Sequence, residues 1–170
     1  ADTPSAWAQK SVDAARAAGI VPAQVNSAFD TAITREDFCS LAAAVYRAWE
    51  KKDALTAYTS SRVSFSDTDN ADVLLCASAG VVNGVGNGKF APNATLSLEQ
   101  LITILYRYAE NKGYNVSKSA SLDSFTDGSA VSAYARPAMQ WAVGMNFLSG
   151  NTLTPGAPAS RAQIAQVLML

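Results

Sequence analysis

Thr34-Arg35-Glu36-Asp37 opens a long amphipathic run, and the same opening recurs at Ser97-Leu98-Glu99-Gln100 and Ser160-Arg161-Ala162-Gln163, 63 residues apart each time. In each copy a hydroxyl residue is followed three positions later by Asp or Gln, and an apolar stripe comes next. That is a helix N-cap with a capping box or a close variant, in which the hydroxyl accepts from the N3 amide and the N3 side chain reaches back. One capping box is common; three at a fixed period mark an internal repeat.

The rest of the chain keeps that period. Thr3 as cap and Pro4 as first helical residue predict a helix through the Ala-rich run to Ala18, with Gly19 as the left-handed residue behind it and Ile20 as its apolar contact. A loop from Val21 to Ile33 leads to the capped helix, where Phe38, Leu41, Ala42, Val45 and Trp49 share a face. After a polar stretch, Glu50 to Ser64, Phe65-Ser66-Asp67 opens a second unit. Asp69 with Asp72 predicts a short capped helix carrying Val73, Cys76 and Ala77 inward, closed by Gly80. The glycine-rich loop Asn83-Gly84-Val85-Gly86-Asn87-Gly88-Lys89-Phe90-Ala91-Pro92 must turn sharply, and Leu101, Ile102 and Leu105 mark the next buried stripe. A second polar linker, Asn111 to Leu122, precedes Phe125-Thr126-Asp127. The last unit's first helix is expected from about Tyr134 to Met145, with Pro137 in its first turn and Asn146 in the left-handed place of Gly19 and Gly80. Phe90 and Leu153 precede Leu98 and Arg161 by eight residues; Phe29 precedes Arg35 by six, which reads as a shorter first loop.

Composition narrows the function. Thirteen basic against fourteen acidic residues give a net charge of −1 with no basic run, which argues against a nucleic-acid surface. Histidine is absent, removing the commonest general base and metal ligand. Cys39 and Cys76 lie among apolar residues on expected helices, which favours buried free thiols over a disulfide; two thiols without imidazole do not complete a structural zinc set. No cofactor is expected. No apolar stretch is long enough for a membrane span. No signal peptide is visible, and the opening Ala1-Asp2-Thr3-Pro4 is compatible with a mature product whose signal has been removed.

Phe-x-Asp, short helix, Gly-Ile/Val, a loop with Phe-x-Pro and then Thr-Arg-Glu resembles the S-layer homology repeat, over essentially the whole chain. The pieces that carry the likeness are Ile33-Thr34-Arg35-Glu36-Asp37, Phe65-Ser66-Asp67, the 84–92 loop, Trp141-Ala142-Val143 and Ser160-Arg161-Ala162-Gln163-Ile164-Ala165. The resemblance implies an all-α fold of three helix-loop-helix repeats, at 1–60, 61–120 and 121–170, in a pseudo-three-fold, three-pronged arrangement with grooves between neighbours. It implies a non-enzymatic, extracellular module that binds a secondary cell-wall polysaccharide non-covalently. The expected ligand is an acidic glycan with a pyruvate ketal on its terminal sugar. Self-association through a larger parent protein is compatible with the resemblance. In that family the arginine of the Thr-Arg-Ala-Glu motif contacts the ligand, which corresponds here to Arg35 and Arg161. Two departures stand out: Leu98 replaces arginine in the middle copy, and the first copy lacks a Phe-x-Asp opening.

Chemistry supports an anion at such a position. A residue just after the N-cap lies beside free backbone amides and the positive helix end, so a carboxylate there meets amides and guanidinium together. Arg35, Glu36, Asn83, Gly84, Asn87, Lys89, Arg161 and Gln163 are the expected ligand-binding residues. The competing reading pairs Arg35 with Glu36 or a neighbouring repeat and leaves it without a ligand. Asp67 and Asp127 read as fixing the turn before their helices. Trp7, Trp49 and Trp141 read as core, with sugar stacking as the alternative. Asn93-Ala94-Thr95 and Asn115-Val116-Ser117 match glycosylation sequons at chance level. Gly84-Val85-Gly86 lacks the βαβ setting of a dinucleotide loop. A structural protein–protein module that has lost polymer binding is the second functional class. A polysaccharide hydrolase is disfavoured for want of paired carboxylates across a cleft.

Overall fold

The structure is a computed structural model that describes residues 3, 6, 8–19, 21–23, 26–28, 31–49, 63–161 and 163–164. Pro4, Trp7, Ile20, Phe29, Ala162, Ala165 and the 50–62 part of the first linker lie outside the described residues, as does the side chain of Trp49. Among the described residues the chain is all-α. Helices α1 (Gln9–Ala17), α2 (Arg35–Trp49), α3 (Ala71–Ser78), α4 (Leu98–Asn111) and α5 (Arg136–Gly144) are joined by loops, with a 3-10 turn at Gly128–Ala130. Among the described residues the extended backbone pairs in isolated bridges.

Helix starts follow the hydroxyl pattern closely. Ser97 and Gln100 form a complete capping box at α4. The third copy has both arms as well: Gln163 N donates to Ser160 Oγ (3.2 Å), and Ser160 N donates to Gln163 Oε1 (2.8 Å). In the first copy Asp37 N donates to Thr34 Oγ1 (3.1 Å), while the Asp37 carboxylate is turned to Arg161 instead of its own cap. Two starts differ from expectation. Helix α3 is capped by Asn70, whose Oδ1 accepts from Asp72 N and Val73 N, one residue later than Asp69. Helix α1 begins at Gln9 behind Ala8, without a side-chain cap, so Thr3 does not start it. Ala135 plays the same uncapped part at α5, where Pro137 occupies the first turn as required.

The three left-handed residues are where the spacing puts them, with Gly19 at φ +69°, Gly80 at +74° and Asn146 at +61°. Behind α3 and α5 the next amide closes a Schellman bond, Val81 N to Cys76 O and Phe147 N to Ala142 O, both 2.9 Å. The loop register differs from expectation. Ala28, Ala91 and Thr154 all have positive φ, at 48°, 57° and 47°, and stand 63 residues apart. Ser27, not Phe29, therefore corresponds to Phe90 and Leu153, and the first loop, from Gly19 to Ser27, is two positions shorter than Gly80 to Phe90 but one longer than Asn146 to Leu153.

The chain forms two compact units, Ala1–Thr95 with Ser160–Met169 and Leu96–Ala159 with Leu170. In the first, α2 packs on α3 over a core that includes Val12, Ile33, Phe38, Leu41, Val73, Cys76, Phe90 and Ile164. In the second, α4 packs on α5 around Leu101, Ile102, Leu122, Met139 and Trp141. The 111–122 linker joins this packing: Ala120 N donates to Gln140 O (3.0 Å), and Leu122 is buried. Each helix pair thus comes from two consecutive sequence repeats, because a two-helix repeat has too little apolar surface to bury its face alone.

Candidate functional site

Within the first unit, the start of α2 lies against the glycine-rich loop. Thr34 bridges Thr95, Arg35 N donates to Ala94 O (2.8 Å) and Glu36 N donates to Pro92 O (3.1 Å). With Asp37 N on Thr34, the first three amides of the helix are all engaged inside the protein. The sequence expectation of free amides waiting for an anion is therefore corrected. Carbonyls of the 92–94 turn neutralise that helix end, as a buried helix terminus requires.

The Arg35 side chain is half-buried and lies over the Phe90 ring, its guanidinium carbon 4.5 Å from the centroid. Its Nε donates to Phe90 O (2.9 Å) and its Nη2 to Asn83 O (2.7 Å). No described residue bonds its Nη1, which leaves that edge of the fork with open donors. Burial pulls the Arg35 pKa below the ordinary arginine value, against the opposing fields of Cys39 and Asp67.

Phe90 is itself fixed twice. Its ring packs on Phe65, centroids 5.3 Å apart. The Asp67 carboxylate accepts from Phe90 N and Ala91 N, both 2.8 Å, and these bonds hold its pKa below the usual carboxylate value. Asp127 repeats the device with Leu153 N and Thr154 N, both 2.7 Å, and is lowered for the same reason. The Phe-x-Asp aspartates thus pin the loop that follows the short helix, across the left-handed residue, rather than the turn before the helix.

The loop's far end is a tight hairpin. Gly86 bridges Lys89, Val85 N donates to Lys89 O (2.8 Å) and Lys89 N donates to Gly86 O (3.0 Å). Asn87 (φ +52°) and Gly88 (φ +67°) supply the paired positive φ of a type I′ turn. Asn83, Val85, Asn87 and Lys89 are exposed. Gly84 has a packing role: a Cβ there would stand 2.8 Å from both the Lys89 carbonyl oxygen and the Phe65 ring. Glu36 accepts from Thr68 Oγ1 (3.3 Å).

Of the eight expected ligand residues, Arg35, Glu36, Asn83, Gly84, Asn87 and Lys89 come together around this loop. Arg161 and Gln163 form a different cluster. Arg161 Nη1 donates to Ser27 O (3.0 Å), the counterpart of Phe90 O, and Nη2 pairs with Asp37 Oδ2 (3.0 Å). Its side chain is 17% exposed, and Gln163 is spent on its cap. Asp37, Phe90 and Asp67 were not among the expected site residues, although the 63-residue offset between Ser27 and Phe90 carries the signal. A separate cavity of about 440 Å³, lined by Gly19, Pro22, Ser40, Ala44, Arg47 and Asp72, includes none of the eight.

The second unit builds the corresponding junction differently. Leu98 N donates to Ala157 O (2.9 Å), Glu99 N donates to Pro155 O (3.0 Å), and Ser97 bridges Pro158. Leu98 is 3% exposed. Glu99, also buried, accepts from Ser132 N (2.9 Å) and Ser132 Oγ (2.7 Å). Trp141 is 6% exposed, with Tyr106 and Phe147 edge-on to it, so it is core rather than a sugar platform.

The family model described as "S-layer homology domain" matches residues 64–102 and 124–165. An endoglucanase of Bacillus sp. (strain KSM-635) is 33% identical over 96 residues, covering 53% of this chain. The chain spans about a tenth of the length of that curated relative, 10%.

Proposed function

Since residues 64–102 and 124–165 are S-layer homology repeats, we propose that the chain tethers a bacterial surface protein to the cell wall by holding an acidic secondary cell-wall polysaccharide. The S-layer homology domain is a non-catalytic binding module associated with anchoring surface proteins to the wall. The site proposed is the junction where the start of α2 meets the 83–92 loop, around Arg35. Its ligand is a glycan whose terminal sugar bears a carboxylate, of the pyruvate-ketal kind.

The observation that supports this reading most is the state of Arg35. Its Nε and Nη2 are locked to Phe90 O and Asn83 O, so the guanidinium is oriented before any ligand arrives, and the Nη1 edge keeps its donors. A preoriented fork loses little side-chain entropy when it takes a carboxylate. The exposed Lys89 adds a second positive charge, and Asn83 and Asn87 offer amides for sugar hydroxyls. Val85, 59% exposed, offers an apolar contact for the ketal methyl or a sugar face. The anion is held by side chains, since the helix-start amides are already used.

Calorimetry of the purified chain with a pyruvylated wall disaccharide and its depyruvylated twin tests the proposal. The pyruvylated sugar is expected to bind, and removal of the ketal is expected to weaken binding roughly 10- to 100-fold, the worth of a charge-assisted bidentate contact. Equal affinities for the two sugars would sink the carboxylate assignment.

A second reading, a protein–protein module of a surface assembly, is favoured by Arg161 being tied to Asp37 and by the buried Leu98. Retention on cell walls stripped of polymer is the result that would prefer it.

A further inference from the structure

Cys39 and Cys76 are the chain's two cysteines. Cys39 lies on α2 and Cys76 on α3, and both are buried, at 0% and 3% exposure. They meet across the contact between those helices: the Cys76 thiol donates to Cys39 O at 3.5 Å. Both are free thiols in the structure. Cys39 is four residues after Arg35, one turn along the same helix face.

We infer that the two thiols are an oxidisable pair, and that a Cys39–Cys76 disulfide would lock α2 to α3 one helical turn from Arg35. Two facts support it. The two cysteines lie on packed helices of one unit, and the Cys76 sulfur already reaches the Cys39 backbone at 3.5 Å. A protein displayed outside the cell, as proposed above, meets conditions in which disulfides persist. The redox chemistry itself does not depend on any glycan being bound.

The oxidant is a small-molecule disulfide. One cysteine loses its proton, and the thiolate attacks a sulfur of the reagent, breaking its S–S bond and expelling one thiolate. The second cysteine, likewise deprotonated, attacks the mixed disulfide at the protein sulfur, forming the internal bond and expelling the second thiolate. The two protons end on the two small thiols released, and the reagent carries away both electrons. A side-chain hydrogen bond shared with the Cys76 thiol, together with burial, pushes the Cys39 thiol well above the ordinary cysteine range, so the pair is slow to react while the unit is closed. The lock therefore forms during folding or transient opening, and afterwards restrains that opening.

The test is incubation of the folded chain with excess cystamine, followed by intact mass and thiol titration in denaturant. Loss of two hydrogens, no titratable thiol and a peptide pair linking residues 39 and 76 are expected. The closed loop, spanning a separation of 37 residues, should raise the melting temperature by about 10 °C. Two thiols still titratable after treatment, or a stable cystamine adduct on one sulfur, would overturn the pairing; a bond that forms without raising the melting temperature would overturn the lock. Neither readout involves the polysaccharide, so a failure here is separable from a failure of wall binding.

Discussion

At the start of α2 a guanidinium lies over an aromatic ring and reaches two loop carbonyls; at the start of α4 a leucine is sealed in the core. The backbones around them are alike, since both helix starts pass their first two amides to a loop about 60 residues ahead. The loops are not alike. The loop facing Arg35 carries the 86–89 hairpin and puts Phe90 ten positions after Gly80, whereas Leu153 follows the left-handed Asn146 by only seven. The arginine and the hairpin occur together at one junction and are missing together at the other. One scaffold thus supports a polar, half-open junction and a closed apolar one, and the difference lies in side chains and loop length rather than in the helices.

The largest expected effect breaks the apolar side of that contrast. Leu98→Ala should lower unfolding free energy by about 3 kcal/mol, by lost burial plus a residual cavity, while leaving affinity for the acidic glycan unchanged. Denaturant titration beside calorimetry reads both. Arg35→Ala should do the reverse, weakening glycan binding roughly 30-fold with a much smaller stability loss. A large drop in stability without any change in affinity would make Arg35 a clamp and nothing more.

The two aspartate pins should behave alike at both junctions. Because folding depresses the carboxyl pKa of Asp67 and Asp127, their contribution is present above the unfolded value, near 4, and is lost as pH falls through the lower folded value. Thermal melts from pH 6 to pH 2 should therefore show a decline that Asp67→Asn and Asp127→Asn each flatten. An unchanged profile in both variants would separate the aspartates from the acid sensitivity. Smaller still, Thr34→Ala and Ser97→Ala should each cost about 1 kcal/mol, and Lys89→Ala should reduce glycan affinity only about two- to threefold without moving the melting temperature.

What the sequence made legible was local. The three hydroxyl starts, the left-handed trio Gly19, Gly80 and Asn146, the tolerated Pro137 and the buried thiols all follow from chemistry within a few residues. The misread features depend on partners far along the chain. Asp67 bonds amides 23 and 24 residues later, so its purpose cannot be read from its own turn. The helix-start amides looked free because their acceptors, Pro92 O and Ala94 O, lie in another repeat. Phe29 was aligned with Phe90 by residue type, whereas the positive φ of Ala28 shows that backbone conformation keeps the 63-residue register. That Arg35 on α2 would meet the loop of Asn83, Asn87 and Lys89 was legible; that Arg161 would be tied up by Asp37 was not.

The division between Thr95 and Leu96 falls inside the middle repeat. A protein engineer who excised fragments at the sequence periods would strip α2 of α3, or α4 of α5, and recover pieces with raw apolar flanks. The natural currency for grafting is a helix from one period together with the short helix and loop of the next.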